Sequence, residues 1–271
     1  MGALGWTSVA HASLLIDDLA AYWNLDETSG TRFDSVGSSH LTDNNTVSSN
    51  PGIINNAAQF VTTNGEFLSS ADNAALSAAG GDFTTTAWVY MDSKIVRPAG
   101  NARRYILSKG SEGNGTFEWA MLYDHGGDTF VFSTSIGSAS STSFGSPELG
   151  VWNFVTAWRD SSPSNSTVNI QVNNGPINLA STPATIADLT GEFRIGGEES
   201  TDPVPRFWDG RVDEVGFWKR ILTAEERSML YENPGALHQD TTPGVVPEPS
   251  SFFLLSFGLL GLWGWRRRLH A

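Results

Sequence analysis

Short stretches in which bulky residues alternate with small or polar ones run through the middle of the chain. The alternation has a period of two residues and is rich in β-branched and aromatic side chains, which is typical of β-strands. The clearest stretches are 84–91, 129–136, 152–159, 166–173 and 210–218. Glycine- and asparagine-rich turns separate them, and Asn174-Gly175 between two extended runs predicts a hairpin. The pattern therefore predicts an all-β body with many turns.

One segment near the end of this body predicts a helix. Thr223 can cap its first turn while Glu226, three residues later, reaches back to the cap, as in a capping box. Leu222 stands before the cap, where an apolar residue can contact the first turns. The Asn-Pro-Gly sequence at 233–235 ends the helix.

Composition and charge narrow the class of protein. The chain has 271 residues, which is enough to bury a sizeable core. Its formal net charge of −13 argues against a nucleic-acid partner, because such a protein needs cationic groups to displace counterions from phosphates. The chain has no cysteine, so disulfides, thiolate metal sites and cysteine nucleophiles are excluded.

Four segments, in order along the chain, resemble one known family. The last reads GRVDEVGFWKRILTAEERSMLY, and the first three read LAAYWNLDETSGTRFDSVGSSHLT, NNAAQFVTTNGEFLS and FTTTAWVY. Together they resemble the LamG-like jellyroll family, which has the concanavalin A-like lectin/glucanase fold, over about residues 19–233. The resemblance implies an all-β jellyroll of two antiparallel sheets packed face to face, with Trp88 and Phe217 in the core. We place this domain at 17–235.

The end of the chain carries a second resemblance. A Pro-Glu-Pro motif, an apolar run and a basic tail follow one another, and this order closely resembles a PEP-CTERM sorting signal. The parts are the motif Pro247, Glu248 and Pro249, the apolar helix 252–265, and the basic residues Arg266, Arg267 and Arg268. The resemblance implies export, processing of 247–271 by an exosortase, and a transient tether in the inner membrane. A linker is expected at 236–246. The alternative is a marginal C-terminal membrane anchor, since the run is shorter than the ~20 residues of a spanning helix.

An exported protein needs an N-terminal signal. Ala10-His11-Ala12 suits signal cleavage, but no basic region precedes it and the apolar stretch is short. We therefore interpret 1–14 as the remnant of a signal peptide whose start lies upstream. The alternative is a disordered leader.

The acidic residues do not predict a catalytic pair. Hydrolases on this fold place two carboxylates on one face of a strand, in a Glu-x-Asp-x-(x)-Glu spacing that the chain lacks. Asp213 and Glu214 are adjacent, so we expect them to point to opposite faces. The five histidines are scattered without paired spacing. We therefore expect a protein that is not an enzyme.

The family resemblance also implies a structural calcium ion. Asp34 and Asp213 match the aspartates that hold such an ion between an early loop and the penultimate strand, and Ca²⁺ prefers hard oxygen ligands. Two alternatives stay open. Asp34 can be a turn residue bonded to its own backbone, and Asp213 can pair with an arginine such as Arg211 or Arg220.

The ligand site stays unassigned at this stage. Exposed aromatic faces could stack on sugars, although sandwich cores also use aromatic residues freely. The candidates are Trp119, Tyr123, Trp152, Trp158, Trp208 and Trp218. The loop 95–104 is locally basic and could meet an acidic polymer. We expect an exported carbohydrate-binding or adhesion protein of the cell surface or exopolysaccharide matrix. The alternatives are a glycan-active hydrolase and a purely structural matrix protein.

Overall fold

The structure, a computed structural model, describes residues 15–79, 81–94, 103–183, 185–199 and 206–240. Short strands dominate this part of the chain, with two helices near its end. The strands are β1 (Leu19–Trp23), β2 (Thr42–Asn44), β3 (Ser48–Pro51), β4 (Asn56–Phe60), β5 (Phe67–Ser70), β6 (Phe83–Met91), β7 (Arg103–Lys109), β8 (Trp119–Asp124), β9 (Thr129–Thr134), β10 (Gly137–Ser140), β11 (Trp152–Asp160), β12 (Thr167–Val172), β13 (Asn178–Ser181), β14 (Phe193–Ile195) and β15 (Gly210–Trp218). The helices are α1 (Ala224–Glu232) and α2 (Ala236–Asp240), and a 3-10 turn spans Thr62–Asn64.

The described strands form two antiparallel sheets. The first sheet has the order β13-β12-β11-β6-β15-β4-β3, with β1 also paired to β15. The second sheet has the order β10-β9-β8-β7-β14-β5-β2. Several neighbours in each sheet are distant in sequence, such as β6 and β15 in the first and β7 and β14 in the second, which is the connectivity of a jellyroll sandwich. The predicted fold class is confirmed for the described residues, and the predicted apolar helix at 252–265 lies outside them.

The main core lies between the two sheets. Phe217 of the first sheet has its ring centroid 5.5 Å from Phe83 and 5.5 Å from Trp119, which belongs to the second sheet. All three are at most 1% exposed. Every second residue of each central strand enters this layer, because successive side chains of a strand point to opposite faces. The predicted core position of Phe217 is confirmed.

A second apolar layer covers the outer face of the first sheet. Trp88 and Phe154 point away from the main core, and Tyr231 of α1 stacks on Trp88 with ring centroids 5.8 Å apart. Trp88 is 6% exposed, so it is buried as predicted, but under the helix rather than between the sheets. Helix α1 thus covers part of the outer face of the first sheet.

Helix α1 begins where the sequence predicts. The Thr223 hydroxyl accepts a hydrogen bond from the Glu226 amide at 3.2 Å, and the Glu226 carboxylate accepts one from the Thr223 amide at 2.7 Å. Leu222, before the cap, is fully buried in the second layer. The capping box is confirmed, and Asn233 follows the last turn as the C-cap.

The packed part of the domain reaches beyond the boundaries expected from sequence. Leu15 is fully buried, and residues 236–240, expected to begin a linker, form α2 with Leu237 only 3% exposed. Both leucines join the second apolar layer, because that layer offers apolar surface on the outside of the sheet. Among the described residues no helix is long and apolar enough to cross a bilayer.

Candidate functional site

Most of the aromatic candidates are core residues. Trp119, Trp208, Trp218 and Tyr123 are at most 1% exposed, and Trp158 is 6% exposed beneath the Arg227 guanidinium. Trp152 is the one candidate of the six that is partly exposed. Of the six sequence candidates, only Trp152 therefore offers aromatic surface to a ligand.

Trp152 belongs to a cross-strand group on the outer face of the first sheet. Its direct neighbour on β6 is Tyr90, with ring centroids 5.4 Å apart, and the neighbour of Tyr90 on β15 is Arg211. The Arg211 guanidinium lies 3.7 Å from the centroid of the Tyr90 ring and 5.6 Å from that of Trp152. All three side chains are partly exposed. We name Tyr90, Trp152 and Arg211 the aromatic platform.

Local backbone structure places the platform at the surface. Val89 and Val212 are buried in the main core, so Tyr90 and Arg211, the adjacent residues in each strand, point outward. The Arg211 Nη1 donates to the Pro51 carbonyl at 2.8 Å, which fixes the guanidinium over the Tyr90 ring. A cation over an aromatic face is attractive and holds both groups in place.

The surroundings of the platform combine apolar and polar groups. Leu149 and Val151, in the loop before β11, are 49% and 43% exposed. Gly150 between them has a left-handed backbone (φ +74°) and donates its amide to Met91 at 3.0 Å. Next to Arg211 on β4 lies Gln59, whose amide donates to Asp92 at 2.9 Å. Apolar faces with a few polar groups at the rim are the usual lining of a small-molecule or sugar site.

Only Arg103 and Arg104 of the basic loop 95–104 lie among the described residues. Residues 95–102 lie outside the described residues. Arg103 pairs with Glu112 at 2.8 Å, and Arg104 is 6% exposed. The two described arginines therefore do not form an open basic surface.

Asp34 lies in a tight turn after β1. Its Oδ1 accepts hydrogen bonds from the amides of Tyr22, Val36 and Gly37, and its Oδ2 accepts one from the Ser39 amide at 3.0 Å. The side chain is 5% exposed. Both carboxylate oxygens thus hold the turn and tie it to β1, which is the turn role that the sequence left open as an alternative.

Asp213 is fully buried on β15. Its Oδ2 accepts from the Ile53 amide at 2.9 Å and its Oδ1 from the Glu214 amide at 3.0 Å. Burial, together with the charge of Glu214, raises the pKa of Asp213 to about 8. Arg211 is held by Pro51 and Tyr90 instead. The carboxylate of Asp213 therefore fixes the loop after β3 against the sheet.

The expectation that Asp213 and Glu214 point to opposite faces is wrong. The pairing of β15 with β6 shifts register between Asp213 and Gly216, and Glu214 has a left-handed backbone (φ 51°). This bulge inserts one extra residue between the inward-facing Val212 and Val215, so Glu214 turns to the same outer side as Asp213. There its Oε2 accepts from the Tyr22 hydroxyl, and its Oε1 lies 2.5 Å from the His238 Nε2.

These carboxylates do not fit the expected calcium shell as they are arranged. The oxygens of Asp34 and Asp213 accept backbone amide hydrogens, whereas a cation needs oxygens whose lone pairs are free. Among the described residues no group of three or more histidine, cysteine, aspartate or glutamate side chains is arranged to hold a metal ion. Calcium at Asp34 and Asp213 stays a prediction that solution experiments must decide.

Two family models match the sequence. The model of the concanavalin A-like lectin/glucanases superfamily, in its laminin G-like form, matches residues 62–226, more than half of the chain. The model of the PEP-CTERM protein-sorting motif matches residues 245–268. The second match confirms the resemblance seen at Pro247, Glu248 and Pro249 and at the three arginines, all of which lie outside the described residues. No curated protein matches the chain.

Solved structures with the same architecture are distant in sequence. Domain 4 of AbnA, an extracellular arabinanase from Geobacillus stearothermophilus solved with arabinotriose, matches with a TM-score of 0.54 and 16% identity over 79% of this chain and 98% of that domain. A Trypanosoma rangeli sialidase mutant matches with a TM-score of 0.57 and 18% identity over 83% of this chain and 34% of the sialidase. The binding domain of botulinum neurotoxin serotype G matches with a TM-score of 0.59 and 15% identity over 80% of this chain and 51% of that domain. At such identities the likeness shows the fold alone.

Proposed function

The chain belongs to the concanavalin A-like lectin/glucanases superfamily, and from this premise we propose that it is an exported, non-catalytic domain that binds polysaccharide. The sorting motif implies export from the cytoplasm and processing by an exosortase. Its place of action would be the cell surface or the exopolysaccharide matrix. Fold by itself does not fix function, so the binding part of the proposal depends on the site.

The observation that carries the proposal is the aromatic platform. Trp152 presents a partly exposed ring beside Tyr90, whose own ring packs against the Arg211 guanidinium, while the other five aromatic candidates are buried. Amphipathic rings bind the apolar faces of sugars, and the partly exposed Arg211 guanidinium beside Trp152 can donate to sugar hydroxyl groups. The arabinotriose complex of the AbnA domain supports the idea that this fold can present a sugar site.

The buried acidic residues support a non-catalytic role. Asp213 and Glu214 are 0% and 5% exposed, and their oxygens are occupied by protein donors. A glycosidase needs its two carboxyl groups on either side of the scissile bond, open to the substrate. This pair stabilises the fold and offers no room for a sugar ring.

Affinity electrophoresis of the full chain against a panel of soluble neutral and uronate-containing polysaccharides tests the proposal. We expect retardation by at least one polymer, and a loss of at least about tenfold in affinity, ~1.4 kcal/mol, in Trp152→Ala and Tyr90→Ala. Phe33→Ala is the matched control, because Phe33 is an aromatic residue 55% exposed and outside the platform. Reducing ends are measured in the same samples.

The outcomes separate the alternatives. No retardation by any polymer would leave a purely structural matrix protein as the better explanation. Equal affinity of wild type and Trp152→Ala would place the sugar site elsewhere on the domain. Release of reducing ends above the background of a mock preparation would assign a hydrolase instead.

A further inference from the structure

Helix α2 packs on the domain beside a cluster of polar side chains formed by Tyr22, Asp213, Glu214 and His238. α2 follows α1 after a short turn, and its Leu237 packs into the apolar layer on the outer face of the first sheet. The next residue, His238, places its Nε2 2.5 Å from the Glu214 Oε1. The helix is therefore held by the apolar side chains of Ala236 and Leu237 and by the polar contact of His238.

Glu214 receives a second donor from the other end of the domain. The Tyr22 hydroxyl of β1 donates to its Oε2. Burial, and then the charge of Glu214, raises the pKa of Tyr22, which stays a neutral donor. The hydrogen bond that the His238 Nε2 donates to the Glu214 carboxylate raises the pKa of His238. Glu214 thus joins β1, β15 and α2 through its two oxygens.

Asp213 completes the cluster without an open oxygen. Its two oxygens accept the amides of Glu214 and of Ile53 and Ile54 in the loop after β3. Every carboxylate oxygen of the Asp213–Glu214 pair therefore faces a hydrogen-bond donor of the protein. A divalent cation beside the pair would compete with these donors, because its ligands must direct lone pairs toward it.

We infer that His238 and Tyr22, by hydrogen bonding to Glu214, take the place of a divalent cation beside the Asp213–Glu214 pair. Helix α2 would then stay packed on the first sheet without a metal ion. The imidazole and the Tyr22 hydroxyl contact the two Glu214 oxygens, so that this buried carboxyl group is hydrogen-bonded by the protein itself. His238 therefore fastens the last described helix to the first sheet. In the sequence, His238 lies shortly before the sorting motif at 245–268.

Thermal melting of the full chain tests this inference. We expect the wild-type midpoint to be the same in excess CaCl₂ and in excess EGTA, because no ligand of the native state is removed. His238→Ala should lower the midpoint by about 3–10 °C, since the Glu214 carboxylate loses a donor. His238→Gln, whose side-chain amide can donate, should recover part of this loss. His125→Ala is the control, because His125 lies in the turn after β8, away from the cluster.

Two results would overturn the inference. A wild-type midpoint that rises in CaCl₂, with the rise abolished in Asp213→Asn, would show that the pair binds a cation. A His238→Ala midpoint equal to that of wild type would show that the imidazole does not hold the helix. Either result leaves the polysaccharide proposal untouched, since the aromatic platform uses other residues.

Discussion

Gly52, in the loop after β3, allows that loop to approach a buried carboxylate. A Cβ at this position would overlap the Asp213 Oδ2 and lie 2.6 Å from the carbonyl oxygens of Ile54 and Asn56. We therefore expect Gly52→Ala to lower the free energy of unfolding by about 1–3 kcal/mol, measured by chemical denaturation. Gly81→Ala is the control, because the nearest atom to its Cβ would lie at 4.0 Å. Equal losses in both variants would show that the approach to Asp213 is unimportant.

Single residues show where sequence reasoning stops. The motif places Asp213 on the correct strand, but alternation alone puts Glu214 on the opposite face. The bulge reverses this, because one left-handed residue adds an extra position that no two-residue period contains. His238 was one of five scattered histidines, and its contact with Glu214 arises only when α2 folds back onto the sheet. Tyr90, which belongs to the proposed binding platform, was not among the sequence candidates, although it follows Trp88 on the same face at the end of the same alternation.

At the scale of the element, helix α1 was predicted almost completely. Its signals are local, since Thr223 and Glu226 cap each other within one turn and Asn233 ends the helix. Arg220 adds an ion pair, with its Nη1 2.7 Å from the Glu226 Oε2. The short edge strands β2 and β3 were not predicted, because three or four residues show too little alternation to detect. The hairpin predicted at Asn174-Gly175 is confirmed by the pairing of β12 with β13.

The helix cap makes stability depend on pH. Burial alone would raise the pKa of Glu226, but hydrogen bonds from Arg220 and the Thr223 amide lower it below its usual value. A carboxyl group whose pKa is lowered by folding stabilises the fold fully above its unfolded pKa, about 4.3, and loses this contribution as the pH falls further. We therefore expect Glu226→Gln to cost about 1–2 kcal/mol at pH 7 and progressively less below about pH 4.

Urea denaturation of wild type and Glu226→Gln between neutral and acid pH measures this difference. Glu148→Gln is the control, since Glu148 lies in an exposed loop. A gap between wild type and Glu226→Gln that stays constant down to the lowest pH would contradict the ion-pair and capping role. In that case the loss would come from packing of the side chain rather than from its charge.

At the scale of the whole molecule, the sequence predicted the two-sheet body but not its layering. Four ordered motifs and alternating strands were enough for the jellyroll, because a buried face must recur every second residue. The alternation cannot say which of two apolar faces meets the other sheet. Trp88 was therefore expected in the core between the sheets, yet it lies under α1 in a second layer together with Phe154.

The central aromatic contacts bind the two sheets into one unit. Phe217 touches Phe83 within the first sheet and Trp119 across the interface, so its removal leaves a cavity in the layer that both sheets share. We expect Phe217→Ala to lower the free energy of unfolding by about 3–5 kcal/mol, with Phe217→Leu costing less because it refills part of the space. In guanidinium denaturation, the midpoints followed by circular dichroism and by tryptophan fluorescence should shift by the same amount.

Leu179→Ala provides the comparison, because Leu179 on the edge strand β13 is 61% exposed and its truncation should change stability by less than about 0.5 kcal/mol. The two probes report on different things, since circular dichroism follows the strands and fluorescence follows tryptophans in both apolar layers. If Phe217→Ala separated the two transitions, the outer layer under α1 would be unfolding independently of the sandwich. Coincident transitions mean that the shared aromatic core sets the stability of both sheets and of the helices packed on them.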